Sequence, residues 1–194
     1  IIEQLHKRFN WVICYDTTID RFLLAATFPN QVQVIRYSLG LGPKRQHNLT
    51  VSSSGHSRRI VERRVASRLG DLFPQAPTEF REQVAKQLVS EANAISGDIV
   101  LRAAGPGSFL NELIGLVLAK FETERRFKAQ HPNALYTWIM LDDFKHWFSG
   151  KFPDLLFVAI EKGDPPIIHM QVLEAKCVGD GSFAREAVDA ERQV

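Results

Sequence analysis

Two apolar runs near the end of the chain, Leu155-Leu156-Phe157-Val158-Ala159-Ile160 and Ile167-Ile168-His169-Met170-Gln171-Val172-Leu173, are parted by little more than Lys162-Gly163-Asp164-Pro165-Pro166. Short runs rich in β-branched and aromatic residues, joined by a Gly/Pro turn, read as paired β-strands. The spacing predicts strands over 154–161 and 167–177. The chain must therefore build a sheet in its last third, with strand ends at known places. Charge sits at those ends. Pro153-Asp154 opens the first strand, and Glu174-Ala175-Lys176 closes the second. An ionised group on an apolar strand is costly to bury without partners, so these residues call for a ligand, a pairing or solvent.

The remaining pattern predicts a short helix over 1–9, strands over 11–15, 21–27, 31–37 and 48–52, and a Gly/Pro-rich loop over 39–45. A helix is predicted over 57–69, where Val61, Val65 and Leu69 form one stripe. Pro74 and Pro77 mark the expected domain boundary, which divides an α+β accessory part (1–75) from a second part (76–194). The second part opens with a helix over 78–95 carrying Phe80, Val84, Leu88 and Ala92. A short strand over 99–103 and the turn Gly105-Pro106-Gly107 follow. Ser108 can cap a helix over 109–128. A strand over 135–141 precedes the strand pair, and a last helix is expected from Ser182 to Val194.

Composition excludes several classes. With 45% apolar and 24% charged residues over 194 positions, the chain has the make-up of an ordinary globular protein. No run of 18 apolar residues exists to span a membrane. The start, Ile1-Ile2-Glu3-Gln4, lacks the basic and apolar segments of a signal peptide. It also lacks an initiator Met, as expected of a fragment of a longer parent chain. Cys14 and Cys177 have no CxxC partner and read as reduced thiols, so a cytoplasmic protein is expected. The six histidines show no HxH or HxxxH pairing, and His169 reads as a packed or surface residue. No GxSxG, GxGxxG or GxxxxGK[ST] motif occurs.

The net charge of +2 hides an asymmetry. Residues 1–75 hold eleven Lys/Arg against five Asp/Glu, and the remainder thirteen against seventeen. In the helix over 57–69, Arg58, Arg59, Arg63, Arg64 and Arg68 face one acid, Glu62. Arg59 with Arg63, and Arg64 with Arg68, are like-charged i,i+4 pairs on the exposed side, which cost stability. A polyanion such as DNA would relieve them. A solvated face, or a contact to an acidic neighbouring domain, explains them equally well.

The order helix, strand, strand, strand, helix, together with Pro153, Asp154, Glu174 and Lys176, resembles the PD-(D/E)xK nuclease superfamily. Glu112, in Asn111-Glu112-Leu113-Ile114-Gly115, and Gln193 match supporting positions, and the resemblance covers about 108–194. Asp143-Phe144-Lys145 repeats the short triplet but is followed by His146-Trp147-Phe148 and reads as a loop or short turn. The resemblance implies an α/β fold: a restriction-endonuclease-like mixed sheet flanked by helices, preceded by the small α+β part. It implies Mg²⁺ or Mn²⁺ held by Asp154, Glu174, the Ala175 carbonyl and Glu112, with Asp154, Glu174, Lys176, Glu112 and Gln193 as the catalytic set. Such an ion activates water and neutralises phosphate charge. Lys176 would orient that water and stabilise the developing charge. The start of the Ser182 helix could receive a phosphate. From strand periodicity alone, Glu174 and Lys176 share a face, with Ile168, Met170 and Val172 as its apolar floor. Glu112 also reads as a first-turn acid favoured by the helix dipole, and Gln193 as a plain polar residue.

More loosely, Trp11-Val12-Ile13-Cys14-Tyr15-Asp16, Arg36-Tyr37-Ser38, Asn48-Leu49-Thr50-Val51-Ser52-Ser53 and Trp138-Ile139-Met140-Leu141-Asp142-Asp143 are similar to a region of bacterial restriction and phage-defence proteins. In those of the phosphorothioation-dependent type, a nuclease is coupled to a HerA/FtsK-type ATPase. This implies DNA, further domains of a parent chain and defence-system subunits as partners, with any motor outside these residues. The rival reading is a catalytically inert nuclease-like fold that serves as a DNA-binding or assembly module of a larger ATPase.

Overall fold

The computed structural model describes residues 2–16, 32–38, 48–105, 109–142, 144 and 148–176. The chain divides into two units, Ile1–Leu110 and Asn111–Val194. Among the described residues it is a mixed α/β protein with two three-stranded antiparallel sheets. Among the described residues no helix is long and apolar enough to cross a membrane.

In the first unit, α1 (Ile2–His6) precedes β1 (Trp11–Asp16), β2 (Val32–Ser38) and β3 (Asn48–Ser54). The sheet order is β1-β3-β2, so β3 pairs on both edges. The predicted strand over 21–27 and loop over 39–45 lie outside the described residues. Helix α2 (Gly55–Leu72) buries Val61, Val65 and Leu69, the stripe the four-residue repeat requires. Burial of each contributes roughly 1.5–3 kcal/mol. Helix α3 (Thr78–Ile95) buries Ala85, Leu88, Val89 and Ala92. The expected stripe began at Phe80, but that ring is 58% exposed. At 3.6 residues per turn, Phe80 stands about 130° round the axis from the centre of the buried set.

Two further expectations change in this unit. The run predicted as a strand over 99–103 is helix α4 (Gly97–Ala104). Ile99, Val100 and Ala103 are all buried, and their i, i+1, i+4 spacing gives a helix one inward face. Core burial overrides the β-propensity of Ile-Val. The Pro74–Pro77 turn is not where the units part. It joins α2 to α3, which pack on each other, and α4 packs on α3, so all three helices share one core. The division falls at Leu110/Asn111.

The second unit contains α5 (Phe109–Gln130) from Asn111 onward, β4 (Leu135–Met140), β5 (Leu155–Glu161) and β6 (Ile167–Leu173). A mixed sheet was expected; among the described residues it is an antiparallel meander with β5 in the middle. Short connections favour antiparallel neighbours, and Lys162–Pro166 leaves no room for a crossover. The expected last helix, from Ser182, lies outside the described residues. Leu155, Phe157 and Ala159 alternate into the buried face. Phe127 of α5 meets the Phe157 ring edge-on at 4.9 Å, and Trp138 lies 4.9 Å from that ring.

A polar clamp sets the rotation of α5 on this sheet. The Glu124 carboxylate accepts from Trp138 Nε1 at 2.9 Å and from the Tyr136 hydroxyl at 3.3 Å. It also pairs with Lys120 Nζ at 2.7 Å, and both side chains are largely buried. Burial opposes ionisation of Glu124, but the bonds from Lys120 and Trp138 outweigh it and hold the carboxyl below its ordinary range.

Candidate functional site

Asp154 precedes β5, yet its backbone extends both ladders. Its N–H donates to the Leu173 carbonyl, and its carbonyl accepts from the Leu141 amide, each at 3.0 Å. Its side chain then takes over from the ladder. Asp154 Oδ2 accepts the Ala175 amide at 2.9 Å. Strand β6 therefore ends at Leu173, four residues before the predicted limit. Once the chain leaves the ladder, strand parity no longer governs Glu174.

The expected apolar floor is thereby overturned. Ile168 and Met170 are 62% and 67% exposed, because β6 is the edge strand among the described residues and His169, Gln171 and Leu173, of the opposite parity, take its α5 side. The Glu174 side chain instead turns inward and is only 3% exposed. Its Oε1 contacts Lys176 Nζ. Its Oε2 is buried and has no hydrogen-bond partner among the described residues. Burial pushes the Glu174 carboxyl up; the Lys176 ammonium opposes this, and the neighbouring Asp154 carboxylate adds to the rise. Two carboxylates so placed repel each other when both are ionised, so a proton or a cation between them is what the pair needs.

The structure thus brings Asp154, Glu174, Ala175 and Lys176 into one cluster. Ala175 contributes its amide to Asp154. Glu112 stands half-buried in the first turn of α5. Gln193 lies outside the described residues, as do Asp143 and Lys145 of the second triplet.

The arginines of α2 separate into two groups. Arg59 and Arg63 are exposed. Arg64, expected on the exposed side, is half-buried, and its Nη1 donates to the carbonyls of Ala103 and Ala104 at 2.9 and 2.6 Å. These carbonyls end α4, where a helix leaves acceptors unfilled. Arg64 therefore caps a neighbouring helix. Arg68, also expected to be exposed, is half-buried and pairs with Asp71 at 3.3 Å, while Arg58 pairs with Glu62 at 2.7 Å.

A second cluster was not anticipated. His131, Glu161 and His169 each present one ligand atom, all within 4.8 Å of one another. No local spacing joins them. Ala159 faces His169 across the β5–β6 pair, which makes Glu161 its diagonal neighbour on the same face. That much could be derived from the hairpin register. His131, just past the end of α5, arrives only through the docking of that helix.

No family model, curated protein or solved structure matches this chain.

Proposed function

We propose that the second unit is a metal-dependent phosphodiesterase acting on DNA, built on a PD-(D/E)xK-like strand pair. The observation that carries this reading is the buried, unpartnered Oε2 of Glu174 beside the Asp154 carboxylate, with Lys176 on the other Glu174 oxygen. An all-oxygen donor set of this kind suits a hard divalent cation. Asp154 and Glu174 would hold Mg²⁺ or Mn²⁺, with the Ala175 carbonyl and Glu112 as further candidates. When bound, the ion supplies Lewis-acid charge neutralisation and a lowered pKa for water.

The remaining work falls to the chain itself. Asp154 fixes the turn that presents Glu174 by holding the Ala175 amide. Lys176 compensates the buried Glu174 charge and places an ammonium beside the phosphate position. There it can orient water and stabilise negative charge as the phosphodiester opens. Arg59 and Arg63 offer a basic face for a DNA backbone. Bacterial restriction or phage defence, with an ATPase elsewhere in a longer parent chain, is the setting that best suits a nuclease of this kind.

The deciding experiment is plasmid cleavage with Mn²⁺ and with EDTA, using the wild type and Lys176→Ala. Metal-dependent nicking that Lys176→Ala abolishes supports the reading. Cleavage by both proteins alike, or a wild type that neither cleaves DNA nor binds Mg²⁺ or Mn²⁺, rejects it.

A further inference from the structure

We propose that His131, Glu161 and His169 form a second metal site, specific for a divalent transition-metal ion such as Zn²⁺. The site is independent of the nuclease reading. It stands at the other end of β5, seven residues from Asp154 and roughly 24 Å along the strand at ~3.4 Å per residue.

The geometry fits an ion of this class. Glu161 Oε2 lies 3.0 Å from His131 Nδ1 and 3.3 Å from His169 Nε2. Ligands bound tetrahedrally at 2.0–2.1 Å stand about 3.3 Å apart. The two Glu–His separations match that edge to within a few tenths of an ångström. One carboxylate oxygen is thus the common neighbour of two imidazole nitrogens, as when a single cation replaces two protons.

The side chains are already held for this purpose. Phe127 stacks on His131 at 4.7 Å and meets His169 edge-on at 5.2 Å, and the two imidazoles lie 4.4 Å apart. The His131 amide donates to the Phe127 carbonyl at 2.8 Å, which fixes its backbone at the end of α5. Glu161 and His169 sit on paired strands. Ligands on rigid elements lose little freedom on binding.

Donor chemistry selects the ion. Two imidazoles with one carboxylate suit Zn²⁺, Fe²⁺, Co²⁺ or Ni²⁺, whereas Mg²⁺ and Ca²⁺ take oxygen. Three protein ligands leave at least one coordination position for water or an exogenous donor. A cleft of about 290 Å³ between α5 and β6 is lined by Phe127, Gln130 and Gln171, so the ring that holds both imidazoles also walls an opening.

The test titrates the metal-free 194-residue protein with Zn²⁺ by calorimetry, beside the Asp154→Asn/Glu174→Gln double variant. Both should bind Zn²⁺ at this site, and excess Mg²⁺ should not displace it. His169→Gln and Glu161→Gln should each weaken binding by more than the ~10–100-fold that outer-sphere changes cost. Imidazole ¹⁵N resonances of the wild type provide a readout that needs no variant. On saturation with Zn²⁺, those of His131 and His169 should move together. The proposal is overturned if both resonances stay in place at saturating Zn²⁺, or if folded triad variants bind Zn²⁺ as the wild type does. Loss of Zn²⁺ binding in the Asp154→Asn/Glu174→Gln variant alone would also overturn it, by assigning the ion to the other cluster.

Discussion

The Ala175 amide donates to Oδ2 of Asp154 across 2.9 Å, twenty-one residues apart in sequence. A side-chain acceptor here takes the place of the next ladder carbonyl. Strand β6 stops, and the following residue pair is aimed by a carboxylate instead of by strand pleat.

Replacements of Asp154 should therefore separate two roles. Asp154→Asn keeps an oxygen for the Ala175 amide and should leave the fold intact, while cutting the proposed cleavage by about a hundredfold or more. Asp154→Ala should in addition lose about 1.5–3 kcal/mol in urea unfolding, the scale of a hydrogen bond to a charged group. Glu174→Gln and Lys176→Ala should match Asp154→Asn in rate. Double variants should be little slower than single ones, because the groups act as a unit. Equal urea midpoints for Asp154→Asn and Asp154→Ala would refute the anchoring role.

Glu174 carries a pH signature. Its folded pKa is raised, chiefly by burial, so the native state holds a proton that the unfolded chain releases near its ordinary value of about 4.3. Stability of the metal-free protein should fall as pH rises from that value through the raised one. Glu174→Gln should flatten this decline and match or exceed the wild type at neutral pH. Urea midpoints in EDTA across pH 4–8 measure it, and a difference between wild type and Glu174→Gln that does not change with pH would contradict the assignment.

Glu124 should behave in the opposite way. Its carboxyl is held below the ordinary range, so its contribution is present above about pH 4.3 and is lost as pH falls through the depressed folded value. Glu124→Ala leaves Lys120 charged and largely buried, and should cost about 3–5 kcal/mol at pH 7. Tryptophan fluorescence should report the change through Trp138, whose Nε1 loses its acceptor. A cost below ~1 kcal/mol would show the clamp to be replaceable.

The α2 arginines should respond in opposite ways. Arg64→Ala uncovers two carbonyls at the end of α4 and should cost about 1–3 kcal/mol. Arg59→Ala/Arg63→Ala should change stability by less than about 0.5 kcal/mol per site. If these two residues track a DNA backbone, the slope of log affinity against log salt falls by about 0.9 for each phosphate that an arginine no longer neutralises. An unchanged slope with intact folding would assign the exposed arginines to solvent or to another domain.

How much was legible follows from what each feature depends on. The strand pair and its Gly/Pro turn were, because pattern and turn chemistry are local. Helix α3 runs from Thr78 to Ile95 as expected, with Pro77 before it. The Ile99–Ala103 stretch reads as a strand because an apolar run as short as Ile99-Val100-Leu101 carries no period that tells strand from helix. Arg64 looked like surface charge because nothing near it in sequence reveals the α4 carbonyls thirty-nine and forty residues away. Strand parity does not explain where Glu174 sits: it ends at Leu173, and the Asp154 carboxylate does the aiming. His131 joins Glu161 and His169 only through tertiary packing.

Strand β5 has Asp154 immediately before its first residue and Glu161 as its last, and its pairing with β6 sets Leu155 against Leu173 and Glu161 against Ile167. A slip of one residue in that pairing inverts every side chain on the moved strand. It would pull Ala175 away from Asp154 at one end and His169 away from Glu161 at the other. The two clusters share no residue, yet they are gauges of a single alignment. A misregistered hairpin would lose both together, and a chain that keeps one has kept the other.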